Sequence, residues 1–144
     1  MKKFLVHAHE SVEYWELVAL RDEILRKPLG LVFTVEQLSA EADSWHIGGY
    51  ENGLLKCCLI LKPLAAGELK MRQVAVAEAA QQQGWGRAIN AFSEQFAKEH
   101  GFTFISCHAR ESARIFYEKL GYAIVGDRFE EVGLPHFRME KQLA

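Results

Sequence analysis

Gln81-Gln82-Gln83-Gly84-Trp85-Gly86-Arg87 is a glycine-containing stretch that follows an apolar run and opens a long helical segment. The patterns on either side predict a strand from Leu69 to Val76 and a helix from Gly84 to about His100. Two glycines two positions apart let backbone amides approach a ligand without side-chain obstruction. The first N–H groups of a helix have no acceptor within it and carry the positive end of its dipole. The stretch therefore predicts an anion site, for which a pyrophosphate is the natural occupant.

Two other phosphate-binding motifs do not fit the same stretch. The phosphate loop of nucleotide hydrolases needs Gly-Lys-Ser or Gly-Lys-Thr, and no such sequence follows Gly84. The dinucleotide fingerprint needs a third glycine three positions after Gly86, where this chain has Ile89. The predicted anion site therefore belongs to neither of these nucleotide-binding classes.

Two motifs of the chain resemble those of the GNAT acyltransferase superfamily. The pattern Gln-x-x-Gly-x-Gly, from Gln81 to Gly86 and preceded by Val-x-Val, is similar to the family's acetyl-CoA loop. The segment from Ala113 to Tyr122 is similar to its Ala-x-x-x-Tyr-Glu-Lys-Leu-Gly-Phe/Tyr helix. The two motifs stand in the family's order, and the resemblance extends from about residue 3 to residue 141, most firmly over 69–126.

The resemblance implies an α/β fold with a mixed central sheet flanked by helices, in one domain that spans residues 1–144. Hydrophobic periodicity and turn residues predict the same order of elements, which by itself indicates an α/β sandwich. The predicted strands span 3–8, 45–50, 54–62, 68–77, 102–107, 122–125 and 136–141. The predicted helices span about 12–26 with Ser11 as N-cap, a short segment near 34–38, 84–100 and 110–119.

Composition and charge narrow the classes of function. The 144 residues, 49% of them apolar, suffice for one folded domain with a core. The net charge of −2 argues against general nucleic-acid binding, and no apolar run is long enough for a membrane span. The three cysteines, Cys57, Cys58 and Cys107, lack the spacing of a zinc site or a disulfide framework, and no metal is expected. This sparse use of cysteine favours a cytoplasmic protein.

The resemblance also implies a binding site for acetyl-CoA as the acetyl donor. The main chain of Val74, Ala75 and Val76 is expected to pair with the pantetheine arm, and an amide near Val76 to polarise the thioester carbonyl. The side chains of Val74 and Val76 are expected to fill the core. Arg110 stands where relatives often carry a pantetheine-contacting asparagine, so a phosphate or carbonyl contact is expected from it instead. The remaining expected cofactor-binding residues are Gln81, Gln82, Gln83, Gly84, Trp85, Gly86, Arg87 and Phe116.

Three residues are candidates for proton transfer. By the resemblance, Tyr117 is the general acid that protonates the departing thiolate of coenzyme A. His108 follows a predicted strand where some relatives place their general base, and an imidazole accepts protons near neutral pH. The run from Phe129 to Met139 is similar to a subgroup's Glu-x-Gly-Ile-Pro-His-x-x-Met pattern, which makes His136 a second candidate base or part of the acceptor pocket. A core position for Tyr117 and structural hydrogen bonds for both histidines are the alternatives.

The predicted reaction is direct acetyl transfer from acetyl-CoA to an amine in a ternary complex, with no covalent enzyme intermediate. The acceptor is expected to be a small-molecule or peptide amine, and a cationic one would suit the acidic residues Glu41, Asp43, Glu130 and Glu131. Two alternatives stay open: an acyl-CoA-binding sensor or regulatory module without transfer activity, and an acyltransferase that uses longer acyl chains or an oxygen acceptor. Dimers are common in proteins with this resemblance, so a homodimer is a further expectation.

Overall fold

Eight strands and four α-helices lie within residues 1–143, the part of the chain that this computed structural model describes. The strands are β1 (Lys3–His7), β2 (Trp45–Glu51), β3 (Leu54–Pro63), β4 (Glu68–Val76), β5 (Phe104–Arg110), β6 (Ala123–Ile124), β7 (Phe129–Glu131) and β8 (Leu134–Gln142). The α-helices are α1 (Val12–Arg21), α2 (Val35–Ser39), α3 (Trp85–Glu99) and α4 (Arg114–Lys119).

The strands form an eight-stranded mixed sheet in the order β1-β2-β3-β4-β5-β8-β6, with β7 paired to β8. Strands β4 and β5 run parallel, whereas β1–β2, β2–β3, β5–β8, β6–β8 and β7–β8 are antiparallel pairs. The predicted α/β fold with a mixed sheet and flanking helices is confirmed. No helix within residues 1–143 has both the length and the apolar character that a membrane crossing requires.

Several predicted boundaries were wrong by a few residues. Helix α1 ends at Arg21, and a single π-helical turn covers the rest of the predicted span, Asp22–Arg26. Strand β5 runs to Arg110 rather than to residue 107, because antiparallel pairing with β8 extends it. A 3₁₀ turn, Glu111–Ala113, therefore precedes α4 in the predicted helix 110–119. Strand β7 was not predicted at all.

One compact unit comprises Met1–Lys62 and Arg72–Ser93. Helix α1 begins after Ser11, whose hydroxyl accepts the N–H of Tyr14, so the predicted N-cap is confirmed. The apolar side of α1 buries leucines against the sheet, in a cluster of Leu17, Leu20, Cys58 and Ala75.

A buried ion pair lies in the same unit. Arg21 donates to both carboxylate oxygens of Glu41, at 2.9 and 2.6 Å, and the hydroxyl of Tyr14 donates to the same carboxylate at 2.9 Å. The Arg21 side chain is 1% exposed and that of Glu41 5%. The Glu41 carboxylate is therefore buried and paired with Arg21, and its expected role beside a cationic acceptor is wrong.

The other compact unit comprises Pro63–Met71 and the chain from Glu94 onward. Strand β5 pairs with β8 along its whole length, from Phe104–Gln142 to Arg110–His136. Glu68 accepts hydrogen bonds from Ser106 at 2.5 Å and from Arg138 at 2.9 Å, which ties β4, β5 and β8 together. The buried apolar side chains of this unit include Leu69, Met71, Ile105, Cys107, Ala109, Tyr117, Tyr122 and Met139.

Candidate active site

The segment between β4 and α3 is shaped by glutamine side chains that fold back onto its main chain. The side-chain amide of Gln81 donates to the carbonyl of Val76 at 3.1 Å, and that of Gln83 to the carbonyl of Ala79 at 3.0 Å. Gln82, between them, is exposed and has a positive φ of 64°. The glutamine run therefore builds the loop, and its main chain is what a ligand would meet.

The loop ends in unpaired amides at the start of α3. The first helical hydrogen bond runs from the N–H of Ala88 to the carbonyl of Gly84 at 3.0 Å. The amides of Trp85, Gly86 and Arg87 consequently have no acceptor within the helix. Gly84 has a φ of 82°, and a Cβ atom there would meet nothing within 4 Å, so the space beside the loop is open. A diphosphate fits this arrangement of free amides, open space and positive helix dipole.

Trp85 serves the core rather than the ligand side of the loop. It is 2% exposed and meets the ring of Phe4 edge-on, with centroids 6.1 Å apart. The ammonium of Lys2 lies 4.8 Å from the centroid of the Trp85 ring and donates to the carbonyl of Gln83 at 3.2 Å. Lys2 therefore fixes the loop and, together with the exposed Arg87, adds positive charge beside it.

The burial of the last three residues of β4 differs from the prediction. Ala75 is the buried residue, packed against Leu17 and Cys58, whereas Val74 and Val76 are only half-buried. The expectation that the two valines fill the core is therefore wrong. The physical reason is strand alternation: Ala75 is buried, like Leu69 and Met71 earlier in β4, so the valines on either side of Ala75 point away from its position in the core.

Tyr117 lies on α4 in an aromatic cluster. Its ring is buried and packs edge-on against Phe116 and Tyr122, with centroids 5.1 and 5.4 Å apart. Burial, together with the neighbouring Cys107, raises the pKa of the Tyr117 phenol, so the hydroxyl carries its proton at neutral pH. Arg110, at the end of β5, is half-buried, and Phe116 is 39% exposed.

Two other buried groups, Cys107 and Tyr122, lie near Tyr117. Burial raises the pKa of the Cys107 thiol to about 12, so Cys107 is not a thiolate nucleophile at neutral pH. The hydroxyl of Tyr122 is buried and has no hydrogen-bond partner among residues 1–143. Tyr122 therefore offers a matched comparison for Tyr117, with the same phenol in the same cluster.

A histidine–carboxylate–histidine cluster lies on β5 and the β7–β8 hairpin. Nδ1 of His108 lies 2.9 Å from one carboxylate oxygen of Glu131, and Nε2 of His136 lies 3.8 Å from the other. The ring of Phe129 meets His108 edge-on at 5.0 Å and stacks on His136 at 5.9 Å. Within residues 1–143, no group of three His, Cys, Asp or Glu side chains converges as metal ligands would.

Strand β5 separates Tyr117 from this cluster. Successive strand residues point to opposite faces, so Cys107, beside Tyr117, and His108, beside Glu131, lie on opposite sides of β5. The last registered pair of the parallel β4–β5 ladder is Met71–Cys107, directly before His108. Two of the candidates for proton transfer, Tyr117 and His108, therefore lie on opposite sides of β5.

Comparison with known proteins identifies the family. The model of a family described as "Acetyltransferase (GNAT) domain" matches residues 64–143, which include β4, the loop, α3, β5 and α4. The chain belongs to the GNAT acetyltransferase family. The uncharacterized protein YyaT of Bacillus subtilis (strain 168) is 30% identical to this GNAT chain, over 78% of it and 83% of YyaT.

Solved structures share the GNAT fold over nearly the whole chain. A candidate N-acetyltransferase from Lactobacillus plantarum has a TM-score of 0.88 and 26% identity, covering 99% of both chains. A GNAT family acetyltransferase from Elizabethkingia anophelis, with acetyl-CoA bound, has a TM-score of 0.76 and 17% identity, covering 99% of this chain and 98% of that one. The predicted family is confirmed.

The structure brings some of the residues predicted for the GNAT site into contact with one another. His108 and His136 share the carboxylate of Glu131, and Tyr117 contacts Phe116. Sequence reasoning did not find that Glu131 joins the two histidines, because only the strand register brings residues 108 and 131 together. It also missed Lys2, whose contact with the loop has no local signal.

Proposed function

We propose that this GNAT chain transfers an acetyl group from acetyl-CoA to an amine of a small molecule or peptide, directly and in a ternary complex. The observation that carries the proposal is the loop Gln81–Arg87, which presents free amides at the start of α3 in a chain of this family. The related structure with acetyl-CoA bound supports acetyl-CoA as the donor. The three free cysteines suit a reducing compartment, so we place the reaction in the cytoplasm.

The donor is bound chiefly by main-chain groups in this proposal. The diphosphate accepts hydrogen bonds from the loop amides between Gln82 and Arg87, and the pantetheine arm pairs with the main chain of Val74–Val76. An amide near Val76 stabilises the oxyanion that forms on the thioester carbonyl. Arg110 and Phe116 contribute side-chain contacts, and their half-buried and exposed positions leave them accessible to a ligand.

The chemistry needs one base and one acid. The amine nitrogen attacks the thioester carbon, the tetrahedral intermediate collapses, and the carbon–sulfur bond breaks with the electron pair leaving on sulfur. Tyr117 protonates that thiolate, and a histidine takes the proton that the amine loses. We assign the base to His108, because its side chain is 27% exposed whereas that of His136 is 4% exposed. His136 then belongs to the wall of the acceptor pocket.

Thiol release tests the proposed function. Purified protein is incubated with acetyl-CoA and a panel of primary amines, and free coenzyme A is measured with a thiol reagent while the acetylated amine is identified by mass spectrometry. Amine-dependent release with one acetyl group added per thiol is the expected result. Binding of acetyl-CoA without transfer to any amine would favour the second candidate, an acyl-CoA-binding module. That candidate rests on Arg110, which stands where relatives often have a pantetheine-contacting asparagine.

A further inference from the structure

The carboxylate of Glu131 lies between two imidazoles, and one of its contacts is a short hydrogen bond. We propose that Glu131 is the positioning residue for the base of acetyl transfer, because it holds the proton of His108 on Nδ1 and leaves Nε2 with a lone pair for the amine proton. This inference rests on the proposed function and deepens it. Glu131 touches neither donor nor acceptor in this account and acts through His108.

The hydrogen bond decides the tautomer of His108. An ionised carboxylate can only accept, so the 2.9 Å contact between Nδ1 and Glu131 requires the proton on Nδ1 in the neutral imidazole. Nε2 is then the acceptor nitrogen, which is the state a general base needs. The edge-on ring of Phe129, 5.0 Å away, limits rotation of the imidazole about this bond.

The β7–β8 hairpin holds Glu131 itself in place. Glu131 and Leu134 are paired across a two-residue turn, Val132-Gly133, in which both residues have positive φ, 49° and 75°. Positive φ at both positions is the type I′ geometry of a tight hairpin, and it is unusual for a β-branched residue such as Val132. The turn therefore fixes the backbone position of Glu131, from which the carboxylate extends toward His108.

The second histidine leaves the direct contact to His108. Nδ1 of His136 lies 2.9 Å from the carbonyl of Leu134 and donates there, and its Nε2 lies 3.8 Å from Glu131, beyond hydrogen-bond distance. Burial opposes ionisation of Glu131, but the hydrogen bond from His108 and the nearby His136 and Lys70 outweigh it and lower the pKa of the carboxyl. The carboxylate is thus charged at neutral pH and can balance the imidazolium that forms when His108 accepts a proton.

The other charged groups on this face have partners of their own or lie farther along the strands. Arg138 is the cross-strand partner of His108, and its guanidinium is paired with Glu68 and Glu140. Arg110 is the cross-strand partner of His136. Glu131 is consequently the acidic side chain in contact with His108, and its removal should change the tautomer of His108 directly.

Two substitutions at Glu131 separate its hydrogen bond from its charge. Glu131→Ala removes both, so His108 loses its fixed tautomer, and kcat should fall about tenfold or more, part of the ~10²–10⁴-fold that a positioned base supplies. Glu131→Gln keeps an acceptor oxygen but loses the charge, so kcat should fall less. Without the negative charge, the imidazolium that forms during the reaction lacks its counter-charge, so the loss should appear in kcat rather than in KM.

The control is Glu99, an exposed glutamate at the end of α3 that has no role in the proposed site. Glu99→Ala should change neither kcat nor KM. Nitrogen-15 NMR of the His108 ring gives a readout that does not depend on activity: the Nδ1–H tautomer should dominate in the wild type and in Glu99→Ala, and should be lost in Glu131→Ala.

Failure of this inference is distinguishable from failure of the proposed function. If the wild type transfers acetyl groups and Glu131→Ala matches Glu99→Ala in kcat and in the His108 tautomer, Glu131 has no positioning role. If the wild type neither binds acetyl-CoA nor transfers its acetyl group, the proposed function falls and the inference falls with it.

Discussion

Replacing Tyr117 by phenylalanine removes one oxygen atom from the proposed acid and leaves its packing intact. The ring is 7% exposed and keeps its edge-on contacts with Phe116 and Tyr122, so the free energy of unfolding should change by less than about 1 kcal/mol. Loss of a general acid should lower kcat by about 10²–10⁴-fold, or roughly 3–5.5 kcal/mol in the barrier. The KM for acetyl-CoA should change little, because the proposed diphosphate site is the loop before α3, whereas Tyr117 lies on α4.

The control substitution makes the same chemical change in the same cluster. Tyr122→Phe removes a buried hydroxyl that has no partner among residues 1–143, so it should leave kcat unchanged and stability equal or up to about 1 kcal/mol higher. Thiol-release kinetics of the wild type and the two variants give kcat, and thermal unfolding gives their stability. A Tyr117→Phe enzyme with wild-type kcat, or equal losses in both variants, would refute the acid role.

Three further predictions concern the fold and its buried groups. Glu41→Gln leaves the guanidinium of Arg21 buried without its counter-charge and should lower the free energy of unfolding in urea by about 3–5 kcal/mol; a loss under about 1 kcal/mol would contradict the buried pair. Burial opposes ionisation of Glu68, but hydrogen bonds from a serine and an arginine outweigh it and hold the pKa of its carboxyl below the ordinary value. That contribution to stability is present above about pH 4.3 and is lost as pH falls through the lowered pKa, so Glu68→Gln should flatten the acid limb of the stability curve. Cys107→Ala should leave acetyl transfer intact, since the thiol is buried with a pKa raised to about 12, and loss of transfer in a folded variant would reopen covalent catalysis.

The parts of the fold that were predictable from sequence are those with local signals. The glycines of the loop, the apolar run of β4 and the N-cap Ser11 act through their immediate neighbours, and the structure places a strand, a turn and two helices there. Strand β7 has only three residues, Phe129–Glu131, and owes its conformation to pairing with β8. Three residues are too few for a recognisable alternation, and the turn Val132-Gly133 lacks the Asn-Gly or Asp-Gly pair that usually marks a tight hairpin, so the strand was missed.

The same distinction applies to the candidate site. The loop amides follow from the start of a helix, a local property, whereas the contact between His108 and Glu131 depends on the registers of two strand pairs. Glu41 illustrates the same limit: its charge suited a place beside a cationic acceptor, but Arg21, on a different element, pairs with it in the core. Side-chain partners that are distant in sequence could not be predicted from one chain.

Calorimetric titration with acetyl-CoA, on the wild type and two aspartate variants, tests the central claim most directly. Gly84 and Gly53 have similar positive φ angles, 82° and 77°, and a Cβ atom at either would meet nothing within 4 Å. Aspartate tolerates this conformation better than most residues, so the two substitutions strain the backbone alike, but only Gly84→Asp brings a negative charge to the proposed diphosphate site. The account predicts one acetyl-CoA per chain for the wild type and Gly53→Asp, and none for Gly84→Asp. Absence of binding by the wild type at millimolar acetyl-CoA, or equal binding by Gly84→Asp, would contradict it.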